Sequence, residues 1–107
     1  MKPRVWRFHF TVAAARQAEE IAEWWAVHRP VSPDLFTAEL AQCLERLAVM
    51  PSVGASASYA APCLRGLRRT LLRATRYHVY YTTNEEEGIL TIHAVWHAAR
   101  GTRPEFE

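Results

Sequence analysis

Several features are scarce in this sequence of 107 residues, and each scarcity removes a class of protein. No stretch approaches the ~20 consecutive apolar residues that a membrane span needs, so no membrane association is expected. Lys2 and Arg4 near the start are not followed by an apolar run, so no signal peptide is read there and the expected location is the cytoplasm. Cys43 and Cys63 are too few for a disulfide framework, and each is expected to be a small buried thiol. His9, His28, His78, His93 and His97 are scattered, and only His93 and His97 fall on one strand face. Two histidines without a third ligand do not make a zinc site, and the 4 glycines form no phosphate-cradling loop. Neither a metal nor a cofactor is expected. Lysine is nearly missing: Lys2 stands against 12 arginines.

What is present describes one folded domain, residues 1–107. Half the residues are hydrophobic and 22% are charged, too apolar for a disordered chain and long enough for one modest core. The net charge of +2 conceals an uneven distribution. Acids gather before Glu45 and in Glu85–Glu87, while arginines gather in Arg65–Arg76 and Arg100–Arg103. Arginine carries a planar, permanently charged fork suited to carboxylate and phosphate.

Taken in order, Val5 to Phe10 alternates, with Trp6, Phe8 and Phe10 on one side, which is a half-buried strand. Thr11 can cap a helix over Val12–His28, whose stripe is Ala14, Ala18, Ile21, Ala22 and Trp25. Trp24 falls on its flank. Pro30 ends this helix. Ser32-Pro33-Asp34 reads as a restart, with a capping hydroxyl, a proline at the first helical position and an acid at the positive end of the dipole. Phe36, Leu40, Cys43, Leu44 and Leu47 form the second stripe, and Met50-Pro51 closes it. So short a connection implies an antiparallel helical hairpin. Residues 51–62 are small and aperiodic and read as one long loop, mobile in part.

The remainder predicts three sequential antiparallel strands, about Leu64–Ala74, Tyr77–Thr82 and Ile89–His97, the last two joined by a turn containing Gly88. The fold class is therefore α+β: a strand, a helical hairpin, then a three-stranded antiparallel meander with the helices on one face. The first strand is expected at an edge or beside the last one. Period two puts Leu90, Ile92, Ala94 and Trp96 on the core face of the last strand, and His93, Val95 and His97 on the other. Arg65, Arg69 and Arg73 would share one face of the first of the three strands. The tail, residues 100–107, is expected to be irregular.

The strand–helix–helix–three-strand order, the run Arg76 to Tyr81 (Arg-Tyr-His-Val-Tyr-Tyr) and the run Ala94 to Gly101 (Ala-Val-Trp-His-Ala-Ala-Arg-Gly) together resemble the RelE/ParE toxin superfamily of type II toxin–antitoxin systems, most closely its ParE branch. The resemblance covers nearly the whole chain. It implies a toxin that inhibits DNA gyrase and is neutralised by a cognate ParD-like antitoxin in a hetero-oligomer. The alternative it offers is a RelE-like, ribosome-dependent mRNA endoribonuclease.

A nuclease of that kind needs an acid, a base and cations at the phosphate. His97 with Arg65, Arg69 and Arg73 is the candidate set; His97 could equally hold the tail by a hydrogen bond. No lysine and no glutamate lies on the middle or last strand, which favours the non-nuclease branch. There the sequence supplies a surface: Arg100, Arg103, Arg69 and Arg73 for the target, and Trp24, Arg65 and Arg68 for the antitoxin. Direct DNA binding by the arginine strand is a third reading, against which stands the low net charge.

Overall fold

Thr11 separates the first strand from the first helix. Its hydroxyl accepts the Ala14 amide at 3.1 Å and caps α1 (Val12–His28), satisfying one of the four amides that a helix start leaves unpaired. The computed structural model describes residues 6–106; Val5, where a strand was expected to begin, and Glu107 lie outside them. The strand itself, β1, is Arg7–Phe10.

Both helical stripes pack as the spacing predicts. Ala14 is buried, and Ala18, Ile21, Ala22 and Trp25 lie against the core. In α2 (Leu35–Val49), Phe36, Leu40, Cys43 and Leu47 are buried and Leu44 packs beside them. Each such large side chain contributes about 1.5–3 kcal/mol by leaving water. The start of α2 differs from expectation. The Ser32 amide is already closed onto the Arg29 carbonyl at 3.0 Å and the Ser32 carbonyl accepts from Leu35, so Ser32 and Pro33 form a turn. Asp34 holds the cap position without a side-chain capping bond.

The described residues form a five-stranded sheet in the order β1-β5-β4-β3-β2, with β2 at Ala55–Ser56, β3 at Arg68–Leu72, β4 at Tyr77–Asn84 and β5 at Ile89–His97. β3, β4 and β5 pair antiparallel in sequence, as the meander requires. The sheet is larger and mixed, because β1 lies parallel to β5 and the expected loop contributes β2. β3 is shorter than the expected Leu64–Ala74. Gly66 takes φ +72°, and Leu67 bonds back to Leu64, so the chain before Arg68 is a turn. After Leu72, the Arg76 amide closes a turn onto the Leu72 carbonyl, with Arg76 at φ +69°. Glu39 of α2 fastens that turn, accepting the Ala74 amide at 2.7 Å, the Thr75 amide at 3.0 Å and the Thr75 hydroxyl at 2.6 Å. Burial pushes the Glu39 carboxyl up, but these three bonds outweigh it and hold it below the ordinary carboxylate value.

A bulge in β5 corrects the face assignment. Tyr80 pairs with Ala94 and Tyr81 with Ile92, so His93 is skipped in the register with β4. An extra residue reverses the alternation beyond it. Leu90, Ile92 and Val95 therefore face the helices together with Val79 and Tyr81. Ala94 and Trp96 join Tyr80 on the opposite face. His97 consequently lies on the helix side, not on the face pointing away from the core.

That opposite face is covered by chain rather than left open. Ala57, Ala61 and Leu67 are buried against Tyr80 and Ala94, with Ala60, Leu64, Trp96 and Phe106 beside them. The loop is thus a second, thinner layer. Cys43 and Cys63 are free thiols; Cys43 is buried as expected, and Cys63 is exposed, since Ala61 and Leu64 take the inward positions around it. At the loop's start Tyr81, reaching through the helix-side core, donates to the Pro51 carbonyl at 2.8 Å and accepts the Gly54 amide at 2.9 Å. Gly54 is required there, because a Cβ would stand 2.5 Å from the Tyr81 hydroxyl and 2.9 Å from the Arg69 carbonyl.

Candidate functional site

The sequence-predicted arginines do not form one row. Arg65 is exposed in the turn before β3 and Arg73 in the turn after it. Only Arg68 and Arg69 stand on the strand, and as neighbours they point to opposite faces. Arg68 donates to the Gly54 carbonyl at 2.7 Å and so helps hold the loop. Arg69 donates to the Tyr80 hydroxyl at 3.4 Å, with its guanidinium 5.6 Å from the Tyr59 ring centre.

The tail brings further cations to the same face. Trp96 donates its indole N–H to the Thr102 carbonyl at 2.9 Å, Pro104 is buried, and Phe106 meets Tyr80 edge-on at 5.3 Å. Irregular as expected, the tail is nevertheless docked. Arg103 donates to the Tyr59 carbonyl at 3.2 Å and lies 5.4 Å from the Tyr59 ring. Arg100 stacks on Trp96 at 4.0 Å. The Ala98 amide bonds to the Arg76 carbonyl at 2.8 Å, which sets the β3–β4 turn, carrying Arg73 and Arg76, beside the exit of β5. Arg69, Arg73, Arg76, Arg100 and Arg103 thereby gather on one rim. The hydrogen bonds of Arg69 and Arg103 go to neutral oxygens, which leave their positive charge in place. His78 registers that field: burial first, then Arg69 and Arg76, push its pKa below the ordinary histidine value.

On the helix side of the same end lies an open cleft of about 480 Å³, lined by Gln17, Glu20, Trp24, Tyr77, His97 and Arg100 among others. β1 stops at Phe10, so past that point Gln17 takes over the β5 edge, accepting the Val95 amide at 2.8 Å. His97 meets the Tyr77 ring edge-on at 4.9 Å, and its Nδ1 accepts the Ala99 amide at 3.1 Å. That bond lies where the chain turns into the tail. Trp24 is 42% exposed, stacked on His28 at 4.7 Å and covered by Arg29 at 5.0 Å.

The nuclease set is not brought together: His97 faces the helices, Arg69 the other side, and Arg65 and Arg73 sit in separate turns. Among the described residues no group of three or more metal-ligating side chains could hold an ion, and no helix is long and apolar enough to cross a membrane. Sequence reasoning missed Tyr59, Arg76 and Trp96. Tyr59 was hidden in an aperiodic loop, although a lone aromatic among alanines and serines is itself a signal. Trp96 was assigned to the core because the bulge leaves no mark in composition.

Residues 8–101 match the family model described as ParE toxin of type II toxin-antitoxin system, parDE. No curated protein matches the sequence.

Proposed function

The chain belongs to the ParE toxin family of type II toxin–antitoxin systems, and from that premise we propose that it arrests growth by inhibiting DNA gyrase until a cognate antitoxin neutralises it. Membership implies the antitoxin partner; the gyrase target is the finer reading. The observation that carries it is the rim on which Arg69, Arg100 and Arg103 meet Tyr59 and Trp96, with Arg73 exposed on the adjoining turn. This is a binding surface without an acid and base poised over a shared reacting atom. The separation of His97, on the helix side, and of Arg65, in the turn before β3, from Arg69 and Arg73 supports the same reading over mRNA cleavage.

Antitoxin contact falls to the other layer. Trp24, exposed on α1 and bordering the cleft, offers the kind of large amphipathic anchor on which interfaces concentrate their energy. Arg65, exposed in its turn, is a second contact, whereas Arg68 serves the loop through Gly54.

Pulse labelling of DNA and protein synthesis immediately after inducing the chain alone tests the proposal. DNA synthesis is expected to stop first, with the DNA-damage response rising, and purified chain is expected to inhibit gyrase supercoiling. Prior collapse of protein synthesis would sink the gyrase reading and turn attention to His97 as a ribonuclease residue.

A further inference from the structure

We propose that the arginine rim binds the phosphodiester backbone of duplex DNA, so that this toxin grips the DNA segment held by its target as well as the target protein. The inference rests on the gyrase reading for its choice of DNA over other polyanions; the surface chemistry stands on its own.

Five cations, Arg69, Arg73, Arg76, Arg100 and Arg103, come from two separated pieces of chain: strand β3 with the turn that follows it, and the tail. Two contacts bring them to one place, the Ala98 amide on the Arg76 carbonyl at 2.8 Å and the Arg103 guanidinium on the Tyr59 carbonyl at 3.2 Å. Arg73, Arg76, Arg100 and Arg103 are exposed. Most acids of the chain lie elsewhere, with Glu19 and Glu23 on α1 and Glu85–Glu87 in the β4–β5 turn; Glu20 lines the helix-side cleft with Arg100, and Glu105 is the one carboxylate in the tail among the described residues. A net charge of +2 is therefore divided into an acidic helix layer and a basic rim. Burial first, then Arg69 and Arg76, lower the His78 pKa, which puts both guanidinium groups within electrostatic reach of one imidazole.

The geometry also selects backbone over bases. Proteins that hold single strands offer open aromatic faces on which unstacked bases lie. Here the aromatic faces already carry guanidinium groups: Arg69 and Arg103 over Tyr59 at 5.6 and 5.4 Å, and Arg100 over Trp96 at 4.0 Å. A guanidinium held over a ring retains further N–H donors that can fork onto phosphate oxygens. The rings thus position cations.

The test is fluorescence anisotropy of the full chain with a labelled 20-base-pair duplex and with the corresponding single strand, over a range of salt concentration and without gyrase. Four or five neutralised phosphates predict a slope of log K against log salt of about −3.6 to −4.5, with the duplex bound more tightly than the single strand. Arg76→Gln with Arg100→Gln is expected to reduce the slope by about 2. Arg16→Gln, on the exposed face of α1, should leave it unchanged, and Arg76→Lys with Arg100→Lys should restore most of it. Unchanged thermal melting of each variant confirms that the fold is retained. Absence of duplex binding at low salt, tighter binding of the single strand, or a slope indifferent to the two glutamine substitutions would each overturn the inference. A parallel supercoiling assay separates the two readings. If the glutamine variant loses gyrase inhibition while neither chain binds DNA, the rim docks an acidic protein surface, and only the DNA inference fails.

Discussion

On the helix side of the sheet, Val79, Tyr81, Leu90, Ile92 and Val95 meet two periodic apolar stripes; on the other side, Tyr80, Ala94 and Trp96 meet three alanines, two leucines and a tail phenylalanine. The first contact is made by two regular helices. The second is made by loop and tail, thin enough to leave arginines at its border. The comparison teaches a division of labour: one face carries the stability of the fold, and the other carries a surface that the fold can change without collapsing. The largest effect should follow from breaking the helix face. Phe36→Ala, at a side chain only 1% exposed, is expected to cost about 3–5 kcal/mol by leaving a cavity. Phe106→Ala, half-buried on Tyr80, should cost about 1 kcal/mol. Urea unfolding of both variants measures the ratio, and equal costs would abolish the distinction between the faces.

The two faces also differ in how well they could be read from residues alone. Every position of the two helical stripes, from Ala14 to Leu47, was legible because a buried helix face must repeat every three to four residues. The cap at Thr11 was legible for the same local reason. What failed is non-local. The bulge at His93 belongs to the register between β4 and β5, and nothing in Ile-His-Ala-Val announces it; one extra residue then moved Val95, Trp96 and His97 to the wrong faces. The second layer was illegible because small residues such as Ala57 and Ala61 bury themselves without any period. Of the candidate site, Arg69, Arg73, Arg100 and Arg103 were found by charge, but the meeting of Arg69, Arg100 and Arg103 with Tyr59 and Trp96 depends on how the loop and tail close.

The seam between the faces gives the next prediction. Tyr81 belongs to the helix-side core, yet its hydroxyl holds the loop that covers the opposite side. Tyr81→Phe leaves the Gly54 amide without its acceptor, which should cost about 1–3 kcal/mol. Gly54→Ala should cost a similar amount by overpacking against the same hydroxyl and the Arg69 backbone. Amide exchange at Ala57, whose N–H bonds to Leu67 at 2.8 Å, is expected to accelerate in both. Unchanged protection at Ala57 would mean that the loop holds itself without Tyr81.

Acid should then weaken the two layers in separate windows. His78 and His93 sit at the second face, His93 bonded to Thr82 at 2.8 Å. Burial first, followed by Arg69 and Arg76 for His78 and by His9 for His93, lowers both below the ordinary value of 6.5. The unfolded chain therefore binds more protons than the folded one just below pH 6.5, and stability falls as pH drops through that window. Glu39, held below its ordinary 4.5, has the same sign in a lower window: its contribution is complete above 4.5 and is lost as pH falls below it. Denaturant midpoints between pH 7.5 and 3.5 should show two declines. His78→Asn with His93→Asn should flatten the upper one, and Glu39→Gln the lower one; a midpoint constant from pH 7.5 to 5.5 would contradict the histidine assignment.

The smallest effect on stability should accompany the largest effect on function. Arg100 stacks on Trp96 at the surface and Arg76 has an exposed side chain on its turn, so replacing each with glutamine should change unfolding free energy by no more than about 0.5 kcal/mol. Removing the tail is a poorer probe, because it would also uncover Tyr80 and release Trp96 from Thr102. Point substitution keeps the second layer closed and deletes charge alone. If the rim is the target surface, these variants retain their melting temperature and antitoxin binding while gyrase inhibition falls at least tenfold. Should inhibition persist at full strength in folded protein, the contact must be sought on the helix side, where the cleft between α1 and β5 would then have to serve both target and antitoxin.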